Sequence, residues 1–299
     1  MLIDFMKRLM ILLSLILIVI FSGCGEQDIS IVDDIKDGVK ITDFWFDSSN
    51  AYPGDRVGLN LELQNIGEVK ATDISATLFG PDWITSPSTK IIPPLSPSEP
   101  EVQIEGESRI GRWVLTAPDV ETETNYDIGT RVIYKYSTVY TGTLRIIKDV
   151  YLETLTEQER GGLLEKNGVI SSTVTGGPLS VSPVKGRNFV ISSGDSGTRP
   201  IVFKLTNSGS GYPTSTKNIN DDKYKVTISS NTGFTGCDSY GTRVVKLSKG
   251  ESRLFNCNYD IPGYGLIVNK QDVVFSVTFD YYYYVDDIAS IIVNPLLGI

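Results

Sequence analysis

Residues 57–67 read VGLNLELQNIG, and their alternation decides the class of fold. Val57, Leu59, Leu61 and Leu63 alternate with Gly58, Asn60, Glu62 and Gln64, a period of two that gives a strand one apolar and one wet face. Asn65-Ile66-Gly67 supplies a turn, and Ile74, Ala76 and Leu78 alternate with Asp73, Ser75 and Thr77 as the next strand. Further along the chain, Ile201, Phe203 and Leu205 alternate with Val202, Lys204 and Thr206 and run into Asn207-Ser208-Gly209. LQNIG at 63–67 thus returns as LTNSG at 205–209.

The echo continues. Gly-Glu-Ser-Arg stands at 106–109 and at 250–253, and Pro118 and Pro262 follow the two arginines at the same distance. Each half closes on a strand rich in aromatics, Val132, Tyr134 and Tyr136 in one and Val277, Phe279 and Tyr281 in the other. A β-branched finish follows, Ile146-Ile147 and Ile291-Ile292-Val293. A duplicated domain accounts for this. Short alternating runs punctuated by Gly, Pro, Asn and Ser predict an all-β chain, two tandem immunoglobulin-like antiparallel β-sandwiches after an N-terminal signal or anchor helix. The expected modules cover residues 39–149 and 169–295. A linker at 150–168 contains a short helix introduced by the capping box Thr156-Glu157-Gln158-Glu159, and it is expected to let the modules pivot.

The N-terminus reads as an export signal. Lys7 and Arg8 precede the largely apolar run Leu9–Phe21, then Ser22-Gly23-Cys24. FSGC resembles the bacterial and archaeal lipobox, with Phe21 where an aliphatic residue is usual. That resemblance implies a signal over residues 1–24, lipidation at Cys24 and an extracellular chain anchored on the outer face of the cell membrane. The competing reading keeps Leu9–Phe21 as an uncleaved anchor, short for a span of about 30 Å. Residues 25–38 are acidic, with Asp28, Asp33, Asp34 and Asp37, and suit a solvated tether.

Composition narrows function. The net charge is −9, and removing Lys7, Arg8 and Asp4 with the signal takes it to −10, a balance that repels nucleic acid. Histidine is absent, which removes the commonest general acid/base and a principal zinc ligand. No catalytic residue, metal site or cofactor is assigned, and a non-enzymatic protein is expected. Gly194-Asp195-Ser196-Gly197 spells a serine-protease tetrapeptide, but without histidine the triad fails at its base and an ordinary turn is expected. Export places Cys237 and Cys257 where disulfides persist. In the duplicated frame Cys257 falls where Trp113 stands, so both are expected in the inter-sheet core.

Pro53-Gly54-Asp55, the alternating strand, Leu-x-Asn-x-Gly, then Leu-x-x-Gly-Glu-Ser at 247–252 and an aromatic final strand together resemble the CARDB-like and S-layer-associated β-sandwich modules of archaeal and bacterial surface proteins. The first half departs from the pattern through an insertion between Leu95-Ser96-Pro97 and Gly106. The resemblance implies a structural spacer or adhesion module contacting envelope proteins or surface glycans, and no catalytic residues. The rival reading is a lipoprotein that binds glycans or peptides. On a strand, the run 281–284 sends alternate rings to opposite faces, so two tyrosines, Tyr282 and Tyr284, are its candidate binding residues. Trp45 points opposite to Phe44 and Phe46 on the same logic. Asp221-Asp222 and Asp286-Asp287, with Asn218 and Asn220, read as solvated loop charges more readily than as calcium ligands.

Overall fold

The computed structural model describes residues 37–84, 88–164, 169–184, 189–195, 197–219, 225–227, 234–237 and 247–296. The export signal, Cys24, Ser196, Asn220, Asp221 and Asp222 lie outside the described residues. The first half contributes β1 (Val39–Phe46), β2 (Asn50–Ala51), β3 (Arg56–Asn65), β4 (Thr72–Phe79), β5 (Thr89–Ile92), β6 (Ser108–Thr116) and β7 (Thr124–Lys148). Two short helices follow, α1 (Asp149–Glu153) and α2 (Glu157–Leu163). The second half contributes β8 (Val169–Val174), β9 (Leu179–Pro183), β10 (Phe189–Ile191), β11 (Thr198–Asn207), β12 (Tyr212–Thr214), β13 (Lys225–Thr227), β14 (Phe234–Cys237), β15 (Ser252–Asp260) and β16 (Lys270–Val293).

The chain is all-β, with sheets packed as sandwiches. β1, β3 and β6 form one outer sheet, and β14, β15, β11 and β9 form another. The expected strand in 57–63 is β3, whose Leu59, Leu61 and Leu63 are fully buried. Each such leucine contributes about 1.5–3 kcal/mol through burial. Thr156 caps α2 through the expected reciprocal box with Glu159.

The repeat is visible in hydrogen bonds. Asn65 donates through Nδ2 to the carbonyls of Val69 (2.9 Å) and Leu95 (3.1 Å), and its Oδ1 accepts from Gly67 N–H. Asn207 donates to Gly211 (2.9 Å) and Leu247 (2.8 Å) and accepts from Gly209 N–H. Their own N–H groups reach the carbonyls of Glu107 and Glu251. Glu107 and Glu251 return a carboxylate to the N–H groups of Ser96 and Ser248, each at 3.0 Å. Leu95-Ser96 and Leu247-Ser248 are therefore equivalent, and the first-half insertion loops out between Ser96 and Glu107, with a 3₁₀ turn at Pro100–Val102.

The halves are also fused. β7 and β16 pair antiparallel without a bulge from Thr124↔Val293 to Ile147↔Lys270, a ladder about 80 Å long. The first part of β7 pairs with β4, while its last residues pair with β8 and, in parallel, with β10 of the second half. β16 does the converse: its middle, residues 278–284, pairs with β12 and β13, and its last two residues pair in parallel with β2 of the first half. Each sandwich thus takes its closing strand from the other. The linker is not the sole connection between the halves: the shared nine-stranded sheet is a second and larger one. Residues 35–299 cluster as one unit, and a single apolar cluster runs from Leu59 and Trp113 to Phe203 and Phe255.

Candidate functional site

Where β7 and β16 cross between the sandwiches, sequence periodicity puts alternate tyrosines inward. Tyr134, Tyr136, Tyr281 and Tyr283 are all buried there. Their rings form a closed circuit, with centroids 6.0 Å apart for Tyr134–Tyr136, 6.2 Å for Tyr136–Tyr281, 6.3 Å for Tyr281–Tyr283 and 5.9 Å for Tyr283–Tyr134. Such edge and tilted pairs add about 0.5–1.5 kcal/mol each beyond area burial.

The hydroxyls tie this quartet to both halves. Tyr136 Oη accepts Val69 N–H (3.0 Å) and donates to Gly176 O (3.1 Å). Tyr283 Oη accepts Gly211 N–H (2.9 Å) and donates to Asn207 Oδ1 (2.8 Å). Tyr281 Oη meets Thr138 Oγ1 at 2.9 Å. Burial is the first cause holding these phenols neutral: the Tyr136 phenol is pushed up to about 12, and those of Tyr134, Tyr281 and Tyr283 are held well above the usual range.

Two carboxylates cross the same waist. Asp37, from the first half, accepts from Ser210 N–H (2.7 Å) and Ser210 Oγ (2.8 Å) in the second. Glu68 accepts Gly176 N–H at 2.7 Å. Gly38 and Pro178 carbonyls receive the N–H groups of Ile66-Gly67 and Ser208-Gly209 in matching fashion. The tether's last residues are thus clamped at the middle of the shared sheet. An open cleft of about 250 Å³ beside them is lined by Asp37, Lys40, Ile66, Ser210 and Asp286-Asp287.

The candidate residues from sequence lie on the opposite, outer face. Tyr282 and Tyr284 are half-buried there. Tyr282 donates to Asp73 Oδ2 at 2.7 Å, and Lys217 pairs with the same carboxylate. Tyr284 stacks on Tyr212, with centroids 5.4 Å apart and planes 28° apart. Arg131 lies between Tyr284 (5.2 Å) and Phe79 (5.4 Å) and forks onto Asp286. The result is a ladder whose ring faces are largely engaged with one another. Asp286 and Asp287, expected in a loop, stand on strand β16, where Asp287 Oδ1 accepts Ile288 N–H.

Elsewhere, Asp195 forms the expected turn, accepting from Ser192 N–H (2.9 Å) and Arg199 (2.7 Å). Cys237 and Cys257 are direct cross-strand partners of β14 and β15. Cys257 and Trp113 are both buried. Trp45 turns to the outer face, with Phe44 buried behind it. Among the described residues no His/Cys/Asp/Glu cluster has the form of a metal site, and no described helix is long and apolar enough to cross a membrane. Sequence reasoning missed the waist. Its signal was the absence of Gly, Pro and Asn from 270–293 and from 130–141.

No protein-family model matches the chain, and no curated protein matches it. Among solved structures, envelope protein VP37 of White Spot Syndrome Virus aligns with 50% of this chain and 98% of its own, at 8% identity and TM-score 0.23. A mutant α-2-macroglobulin of Salmonella aligns with 87% of this chain and 23% of its own, at 13% identity and TM-score 0.22. Collagen adhesin (CNA) of S. aureus aligns with 87% and 94%, at 9% identity and TM-score 0.10. At these scores the likenesses carry no functional argument. The CARDB-like resemblance rests on the strand and turn motifs alone.

Proposed function

We propose that this chain is an extracellular envelope protein, lipid-anchored through Cys24, whose paired sandwiches act as a rigid structural or adhesion element rather than as an enzyme. The observation that carries the mechanical part is the uninterrupted β7–β16 ladder, which ties both sandwiches into one sheet. A linker of two short helices would let two modules swing; a shared ladder resists it, because moving one sandwich means breaking backbone pairs in the other. The tether enters at the crossing, where Asp37 and Gly38 are held by both halves. Residues 25–36, fully extended, reach about 40 Å. The tether joins the folded part at Asp37, beside the buried tyrosines of the shared sheet.

The supports for the anchor are the charged start, the apolar run and FSGC at 21–24. Intact mass of the protein from its native membrane fraction tests it. Loss of residues 1–23 with a lipid-sized gain, abolished in Cys24→Ser, is the expected result. An unmodified chain that keeps residues 1–23 would refute the anchor. We also propose that Cys237 and Cys257 form a disulfide, since antiparallel partners of this kind bring their Cα atoms within bridging distance.

A further inference from the structure

The two outer sheets correspond strand for strand, with one exception. β9, β11 and β15 match β1, β3 and β6, and in the second half β14 adds itself to the far edge of β15. The first-half segment in the corresponding place goes to the opposite sheet, where β5 pairs with β4. Among the described residues nothing pairs with the far edge of β6.

That edge is long and regular. β6 runs in register with β3 from Ser108↔Gln64 to Thr116↔Arg56 without a bulge. Three other edges are managed: β1 has a bulge between Ile41 and Asp43, β5 has four residues, and β9 ends at Pro183. Glu107 O accepts Asn65 N–H, and Ala117 N–H donates to Asp55 O. Odd-numbered residues of β6 therefore aim their backbone at β3, and Ser108, Ile110, Arg112, Val114 and Thr116 aim theirs outward. Ile110 is 66% and Val114 52% exposed.

This outward set is self-complementary about its centre: a small hydroxyl residue, a β-branched apolar residue, Arg112, a β-branched apolar residue and a small hydroxyl residue. We propose that β6 is the seam of a homodimer, two copies pairing β6 antiparallel about a two-fold axis at Arg112. Ile110 then lies opposite Val114 of the partner subunit, covering both exposed side chains, and each three-stranded sheet continues into the other. Arg112 already carries its own counter-ion, Asp47 at 2.5 Å, so the central pair does not bring bare like charges together. An isologous contact of this kind closes on itself and leaves no further edge of β6 to propagate. The inference does not depend on the lipid anchor.

Sedimentation velocity of the full chain in density-matched detergent tests it, with circular dichroism reporting the fold. Ile110→Pro removes an outward N–H while sparing the β3 ladder, and Ile110→Lys sets a charge against the partner without touching the backbone. A dimeric parent with a dissociation constant raised at least tenfold in Ile110→Lys, and in Ile110→Pro where it folds, is the expected result. A monomeric parent, or a dimer unmoved by Ile110→Lys, would overturn the proposal.

Discussion

The first and second halves build the same corner and finish it differently. Asn65 and Asn207 each hold a turn by binding the carbonyl four residues on, a leucine carbonyl from a later loop and the N–H two residues on. Only Asn207 also receives a hydroxyl, from Tyr283. The next segment then goes to opposite sheets: β5 joins β4, and β14 joins β15. The core position shared by Trp113 and Cys257 changes from aromatic bulk to a cysteine whose cross-strand partner is Cys237. What stays constant is what both sandwiches need in order to close on each other: the asparagine corner and the buried tyrosine positions. What varies lies on the outer edges, where a strand can change sheets without disturbing the crossing.

Predictions that exploit this contrast start with the corners. Asn207→Ala leaves two carbonyls, an N–H and a phenol without their partner and should cost about 4 kcal/mol; Asn65→Ala, without the phenol contact, should cost about 3 kcal/mol. Urea unfolding followed by circular dichroism measures both, and an equal cost would deny the phenol its role. Cys237→Ser, by opening the proposed loop of the second half, should lower stability by about 3 kcal/mol in the chain-entropy description. Dithiothreitol should do the same to the parent and nothing to the variant; no change in the parent would remove the bridge.

The waist adds a pH dependence that belongs to neither half alone. Folding raises the Tyr136 phenol to about 12 through burial, above its unfolded value of about 10. The folded chain therefore holds its proton while the unfolded chain loses it. This contribution is complete below about pH 10 and is lost as pH rises towards 12, by about 3 kcal/mol for Tyr136 alone. The measurement is the urea midpoint against pH; Tyr136→Phe should flatten part of the fall, and an unchanged profile would contradict the linkage.

Much of the fold was legible because alternation reports faces directly. Leu59, Leu61 and Leu63 face inward, Tyr281 and Tyr283 are buried while Tyr282 and Tyr284 turn outward, and the capping box at Thr156 starts a helix. The exchange of closing strands was not legible in the same way. Periodicity states which face of a strand is wet, not which strand lies beside it, and residues 124–148 and 270–293 carry the same alternation whether folded as two hairpins or as two long strands. The hint lay in missing turn chemistry. No Gly, Pro or Asn stands between Thr130 and Thr141 or anywhere in 270–293, so neither stretch offers the residues a tight hairpin requires. The candidate site was legible as tyrosines on the outer face. The inner quartet was not, because its partners Val69, Gly176 and Asn207 come from distant segments.

The central claim is that the halves fold as one interlocked structure, and tryptophan fluorescence is placed to test it. Trp45, Trp83 and Trp113 all lie in the first half. Phe203 lies in the core of the second, stacked on Phe255 at 5.2 Å and meeting Tyr140 of β7 at 5.3 Å. Phe203→Ala should cost about 3–5 kcal/mol. If the strands are exchanged, the tryptophan-detected urea midpoint falls by the same amount as the midpoint seen by circular dichroism. A tryptophan transition that stays at the parent's midpoint while circular dichroism splits into two steps would mean two independent modules, and the account would fail.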